Sequence, residues 1–469
     1  NRFSVGPWGE TGWQRFVADT AKELADAAQE VAPPYMFREE DVIAVSKRYR
    51  DVLFYCEDKG PTRTVMYCPR HFWALLYKTY LRAPDTFKLE RTRVEDAQEA
   101  VLKNFPTNIK KLCRWAFANR KNQKMRTLPR GSIIPKGPPK KQYGAARPYV
   151  SFAGFFLAKI HRGVGRALAH ISLAVAKKHT LEVKNIESAC KAMLRFNAKL
   201  YLWERLNSDV SFDLQIDNED LEGFFPSPPH RRLVRDVKRV VAMYKAAFPN
   251  VRYILTNVQG VAGRSRAVRE RPIPPKFQQG GAQDPVPLDV IISVVQHALE
   301  WDLFELGLVV IRQIRGAPIG SNLSPALCMS TVILPEVEFF RSLNYIRPSL
   351  VVEDLWEGFR YVDNRMLFSI VLPPGNPLAR PAGSVLPTNL ATPDFYTQPV
   401  NLLREPGLDC GGMTFGVRAN RITAKYVVQD FDTIVLSHRQ GRNMLPEDFP
   451  GRWRFRTIQS AGSHRVLLG

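Results

Sequence analysis

One stretch constrains the chain more than any other: Arg315-Gly316-Ala317-Pro318-Ile319-Gly320-Ser321-Asn322-Leu323-Ser324-Pro325. Gly316 and Gly320 let a backbone come close to a ligand or to another segment. Ser324-Pro325 opens an apolar run over 326–340 that reads as a helix with Pro near its first turn. Acid-bearing strand signals lie on either side. Upstream, residues 212–216 alternate as a strand and lead into Asp220-Leu221-Glu222-Gly223-Phe224-Phe225, with Asp217 competing for the same role in a shifted register. Downstream, residues 359–371 read as a hairpin, with Asp363-Asn364 at the turn of Arg360-Tyr361-Val362-Asp363-Asn364-Arg365. Two carboxylates from different strands, Asp220 and Asp363, are what a two-metal phosphoryl-transfer site needs.

Charge bears on the partner. Lys plus Arg outnumber Asp plus Glu by 67 to 45, a net +22 over 469 residues. That balance suits a polyanion, most simply nucleic acid. Taken alone it also fits a well-solvated basic surface. The cysteines are few and scattered, which suggests a reducing, intracellular compartment and no disulfide framework. Cys68 and His71 stand at C-x-x-H spacing near Cys56, but no fourth metal ligand can be named, so buried structural residues are the simpler reading. No apolar run approaches the ~20 residues of a membrane span. The first residue is Asn rather than Met, so the sequence reads as a processed or partial chain.

Along the chain, helical spacing appears over 12–31, 38–55, 71–82 and 94–105, giving a helical N-terminal region, 1–106. Residues 109–147 are basic and include Lys136, Lys140, Lys141 and Arg147. Helices are expected over 155–178, 186–206, 233–248 and 288–306. A flexible basic loop falls within 231–289, a proline-rich irregular insertion within 372–400, and a basic tail over 430–469.

In this order the three central stretches resemble motifs A, B and C of reverse transcriptases. Ile133-Ile134-Pro135-Lys136 and Arg147-Pro148-Tyr149-Val150-Ser151 resemble motifs 1 and 2 of the fingers, and Cys410-Gly411-Gly412-Met413-Thr414-Phe415-Gly416-Val417 resembles motif E, the primer grip. The run from Arg312 to Cys328 is most similar to telomerase and Penelope-like element enzymes. The resemblance implies an α+β right-hand polymerase: fingers at 107–210, a palm at 211–429 with an antiparallel sheet, and a tail or partial thumb at 430–469. It implies an RNA-directed DNA polymerase of a retroelement, using an RNA template, a DNA primer and dNTPs, with a ribonucleoprotein complex as a further candidate partner. Two Mg²⁺ ions, or Mn²⁺, would sit on Asp220 and Asp363. An aromatic five residues beyond the motif A acid would exclude a 2′-hydroxyl, and Phe225 stands there, which prefers Asp220 to Asp217. Arg147 and one or more of Lys136, Lys140 and Lys141 would bind the triphosphate, and Gly316, Gly320 and Ser324 would line the substrate.

Two departures weigh against catalysis. Asn364 stands where most of the family has a second Asp, and an amide is a weaker metal ligand. From Arg365 to Asp409 there is no lysine to protonate leaving pyrophosphate, and Arg380 and Arg404 are poor proton donors. Either another group, such as Lys425, serves in its place, or the protein is slow. The alternative is a reverse-transcriptase-fold subunit that binds RNA within a ribonucleoprotein or organellar ribosome, without chemistry.

Overall fold

The computed structural model describes residues 53–57, 60–117, 128–136, 145–177, 179–183, 186–258, 267–271, 284–346, 355–376, 390, 392, 395–396, 401–405, 409–410 and 413–426. The expected helix over 12–31, Lys140, Lys141, most of the basic loop before 284 and the 430–469 tail lie outside them.

A hairpin comes first, β1 (Leu53–Glu57) with β2 (Gly60–Tyr67). It occupies ground where the sequence spacing predicts the end of a helix over 38–55. Phe54, Tyr55, Thr64, Val65 and Tyr67 are residue types that favour a pleated surface, and pairing across the hairpin decides so short an apolar run. Next come α1 (Pro69–Tyr80), β3 (Phe87–Glu90), α2 (Val94–Asn104), and the short α3 (Thr107–Leu112) and α4 (Arg114–Phe117).

The basic region folds as the hairpin β4 (Arg130–Pro135) and β5 (Ala146–Ser151), followed by α5 (Ala158–Ala176) and α6 (Ile186–Leu206). Then come β6 (Asp213–Glu222), α7 (His230–Ala247), β7 (Tyr253–Val258), β8 (Ala267–Arg271), β9 (Asp284–Pro287) and α8 (Leu288–Glu300). The helix expected over 288–306 stops at Glu300. Residues beyond it form β10 (Leu303–Leu306), which turns through left-handed Gly307 (φ +64°) into β11 (Val309–Gln313). A two-residue turn needs such a backbone, and that turn converts an apolar helix-like run into a strand. The chain ends its described part with α9 (Ser324–Ile346), β12 (Trp356–Tyr361), β13 (Asn364–Val371), β14 (Asn401–Arg404), β15 (Asp409–Cys410), β16 (Met413–Arg418) and β17 (Arg421–Tyr426).

The architecture is α+β. A five-stranded sheet runs β3-β11-β10-β4-β5, and a four-stranded, wholly antiparallel sheet runs β12-β13-β6-β14. Three-stranded sheets β15-β16-β17 and β8-β7-β9 complete it. The five-stranded sheet mixes segments that chain order divides among 1–106, fingers and palm: β3 is its edge and β10 and β11 its middle. The described part of 53–106 is therefore not a separate helical unit.

The four-stranded sheet carries the acids, and its two faces differ. Directly opposed residues on neighbouring strands share a face, and alternate residues switch faces. Ile216, Met366 and Phe368 lie on one face, in a core shared with α6 and with Phe415 and Ile422 of the small sheet. Leu367 and Trp356 lie on the other face, against Phe339 of α9. Helices α5, α7 and α9 contribute to the larger core and hold the sheet from behind.

Candidate active site

The register of β6 and β13 brings the Asp220 and Asp363 stretches of backbone together. Asn364 is the direct partner of Asp220, and the Leu221 N–H donates to the Asp363 carbonyl at 2.8 Å. Asp220 and Asp363 are both half-buried. Asn364 thus shares a face with Asp220, while Asp363 sits at the corner of the turn beside them. Asp217 is three residues from Asp220 and takes the opposite face. It accepts bonds from Gln215 Nε2 at 2.7 and 2.8 Å and from Arg404 Nη2 at 2.7 Å, so it is committed elsewhere. In this pairing Asp220, and not Asp217, lies directly across from Asn364 beside the turn.

The turn between β12 and β13 is unusual. Val362 has φ +61°, a conformation that costs a β-branched residue free energy and is often found at functional sites. Beneath it lie two arginines that pair across the hairpin, Arg360 and Arg365, both wholly buried. Arg360 donates from Nε to Glu336 at 2.7 Å and from Nη1 to the Val362 carbonyl at 2.9 Å, and pairs with Glu182 at 2.5 Å. Glu336 also accepts from Thr180 at 2.5 Å, from the Leu181 N–H at 3.1 Å and from the Tyr396 hydroxyl at 2.8 Å. Burial alone would raise the Glu336 pKa, but the Arg360 guanidinium outweighs it and holds the carboxyl below its ordinary value. Glu182 goes the other way: burial pushes it up to about 7 against the pull of Arg360. Arg365 donates to Glu219 at 2.7 Å and to the Leu390 carbonyl at 2.8 Å, and lies over the Phe395 and Tyr396 rings.

Nothing in the sequence pattern marks Arg360 or Arg365 as more than hairpin charges. The available signal was their position on either side of the turn, in a strand whose other residues are core types.

The glycine-rich stretch joins the segment after β6 to the β4–β5 hairpin. Gly316 has φ +76°, and a Cβ there would lie 2.5 Å from the Phe225 carbonyl oxygen and from Pro226. The Gly316 and Ala317 N–H groups donate to Pro228 and Phe225, and Arg315 Nε donates to Ser227 at 2.6 Å. Gly320 has φ +115°, and a Cβ there would lie 2.2 Å from the Val150 carbonyl oxygen on β5. The Val150 N–H donates to Ile319 at 2.8 Å. The close approaches these glycines permit are thus to the chain's own segments on both sides.

Ser324 corrects an expectation. It is wholly buried and its hydroxyl donates to the Pro318 carbonyl at 2.8 Å. It closes the loop at the start of α9 and does not line a substrate surface. Phe225 is half-buried, ring edge against Phe224 at 5.0 Å, its backbone pinned by Ala317.

On the β4–β5 hairpin, Arg147 opposes Ile134, and the Lys136 N–H donates to Ala145 at 3.0 Å, closing the base of the loop. Both side chains are half-buried. The Val150–Ile319 bond links their hairpin to the glycine loop, and the glycine loop in turn links to the Phe225 segment that follows Asp220.

Among the described residues, no group of three or more His, Cys, Asp and Glu side chains is placed to hold a metal ion; Cys68 and His71 form no such group. Two carboxylates beside an amide remain a donor set suited to Mg²⁺, which keeps several waters and completes its shell with substrate phosphates. No helix among the described residues is long and apolar enough to cross a membrane.

No protein-family model and no curated protein sequence matches the chain. Among solved structures it is similar to Candida albicans telomerase in complex with a TWJ fragment of telomeric RNA, at 11% identity and TM-score 0.42, over 70% of this chain and 46% of that one. It is similar also to Candida tropicalis telomerase in the corresponding complex, at 10% identity and TM-score 0.46, over 80% and 51%. Apo Candida tropicalis telomerase gives 12% identity and TM-score 0.42, over 70% and 47%. The chain spans about half the length of the telomerase structures it matches.

Proposed function

We propose that the chain is an RNA-directed DNA polymerase that extends a DNA primer on an RNA template from dNTPs, in the setting of a retroelement ribonucleoprotein. The observation that carries this reading is the β6–β13 register, which sets Asn364 opposite Asp220 and bonds Leu221 to Asp363 at the turn. The Arg312 to Cys328 run supports the retroelement setting.

In this reading Asp220 and Asp363 hold two Mg²⁺ ions, or Mn²⁺. When bound, these supply charge stabilisation for the attacking primer oxygen and the departing pyrophosphate. Asn364 orients the pair as a neutral neighbour. Phe225, fixed by Ala317, lies under the sugar and leaves no room for a 2′-hydroxyl. Arg147 presents a planar fork to the triphosphate, with Lys136, Lys140 and Lys141 adding charge from the same hairpin.

The test is primer extension on RNA and DNA templates with Mg²⁺ or Mn²⁺, comparing dNTPs with NTPs. The expected result is metal-dependent extension on RNA with dNTPs, and entry of ribonucleotides in Phe225→Ala. Extension that prefers NTPs in the wild type would overturn the deoxynucleotide assignment, and absence of any extension would overturn the polymerase.

A further inference from the structure

We propose that Arg360 is a positioning residue, which fixes the peptide between Val362 and Asp363 and so sets the direction in which Asp363 faces a metal ion. The inference rests on the polymerase reading of the Asp220–Asp363 site. Two-residue hairpin turns come in two forms that suit strand twist, and these differ by a flip of the central peptide. One has φ > 0 at both corners, the other only at the first. Here Val362 is left-handed and Asp363 is not, so the turn is of the second form. That form wants Gly at the first corner, and this chain has Val.

The side chain therefore works against the turn, and something else must hold it. The atom to hold is the Val362 carbonyl, because it belongs to the peptide that would flip. Arg360 Nη1 donates to that oxygen at 2.9 Å. Flipping the peptide would break this bond and strand a buried guanidinium donor. It would also move Asp363 to positive φ, which Asp tolerates better than most residues, so the residue itself does not forbid the flip.

Arg360 is in turn immobile. Its Nε is bonded to Glu336 on α9, and Glu182 sits 2.5 Å from Nη1. Tyr396, which lies between β13 and β14, donates to Glu336 and offers its carbonyl to Arg232 on α7 at 2.7 Å. Four separate segments thus fix one guanidinium beneath one carbonyl.

The test is Mn²⁺ binding to the full chain, read by electron paramagnetic resonance, with thermal melting alongside. Arg360→Lys keeps the charge for Glu336 and Glu182 but loses the fork. Its Mn²⁺ affinity should fall about 10-fold, the lower end for a partner that orients a metal ligand. Adding Val362→Gly, which favours the same turn form unaided, should restore most of that affinity without restoring the lost melting temperature. A purely structural role predicts no such rescue. Tyr396→Phe is isosteric and loosens Glu336. It should weaken Mn²⁺ binding to a smaller extent, again reversed by Val362→Gly, and it carries the test should Arg360→Lys not fold.

Unchanged Mn²⁺ affinity in the folded variants, or a loss that Val362→Gly leaves in place, overturns the proposal while leaving the polymerase reading standing. A wild type that binds no Mn²⁺, and behaves like Asp363→Asn in that assay, overturns both.

Discussion

At the scale of the residue, Asp220 and Asp217 show how far chemistry type alone can go. Both are acids on one strand, and spacing to Phe225 favours Asp220. Alternation then decides: Asp220 faces Asn364, while Asp217 is occupied by Gln215 and by the largely exposed Arg404, whose side chain is 71% accessible. Asp217 itself is buried, so Asp217→Asn, which weakens its charge-assisted bonds, should cost about 1–3 kcal/mol, and leave Mn²⁺ binding unchanged. Urea denaturation and metal titration check this, and lost metal binding would move the site to the other face of β6. Ser324 was misread for a physical reason. A polar residue beside a glycine loop looks available, and only packing reveals that its hydroxyl closes the loop onto Pro318. Arg360 and Arg365 mislead in the opposite sense, since arginines are almost never wholly buried unless paired. Their partners Glu182, Glu219, Glu336 and Tyr396 come from distant parts of the chain, so no local pattern signals them.

At the scale of the element, what was legible followed periodicity. The helix that opens at Ser324-Pro325 and the β12–β13 hairpin both have long or well-bounded patterns, and each is present. Strands β1 and β10 were hidden in helix-like apolar runs because a partner strand, absent from any local window, made the choice. The glycine stretch acts as a joint between elements. Gly320 allows the loop before α9 to lie against β5, and Gly316 allows it to lie against the segment after Asp220. Gly320→Ala would put a methyl 2.2 Å from the Val150 carbonyl oxygen at φ +115°. It should destabilise the fold by about 2 kcal/mol or more, from backbone strain and displaced contacts. Denaturant unfolding measures it, and a loss below about 0.5 kcal/mol would mean that the loop and β5 part easily.

At the scale of the whole molecule, packing behind the glycine loop fixes the response to acid. His161 and His297 are buried, and burial lowers their pKa to about 3 and about 4. Neither His161 ring nitrogen has a hydrogen-bond partner among the described residues. A histidine with a depressed folded pKa contributes stability that is present above its unfolded value of about 6.5 and lost as pH falls toward the folded value. Glu182 and Asp302, raised by burial, run the other way and lose stability as pH rises. The difference between wild type and His161→Phe isolates the histidine: it should shift by about 1.4 kcal/mol per pH unit between pH 6 and 4. A pH-independent difference would mean that His161 is solvated. The central claim is that Asp363 is a metal-binding acid of a polymerase palm, even with Asn364 beside it and no lysine between Arg365 and Asp409. The direct measurement is the rate of primer extension on RNA by wild type, Asp363→Asn and Asn364→Asp, with RNA affinity followed in parallel. The account predicts extension by wild type, equal or faster extension by Asn364→Asp, and a loss of at least about 100-fold in Asp363→Asn, or roughly 2.7 kcal/mol of transition-state stabilisation, with RNA affinity unchanged in all three. Extension by Asp363→Asn at the wild-type rate, or RNA binding without extension by any of them, would contradict it.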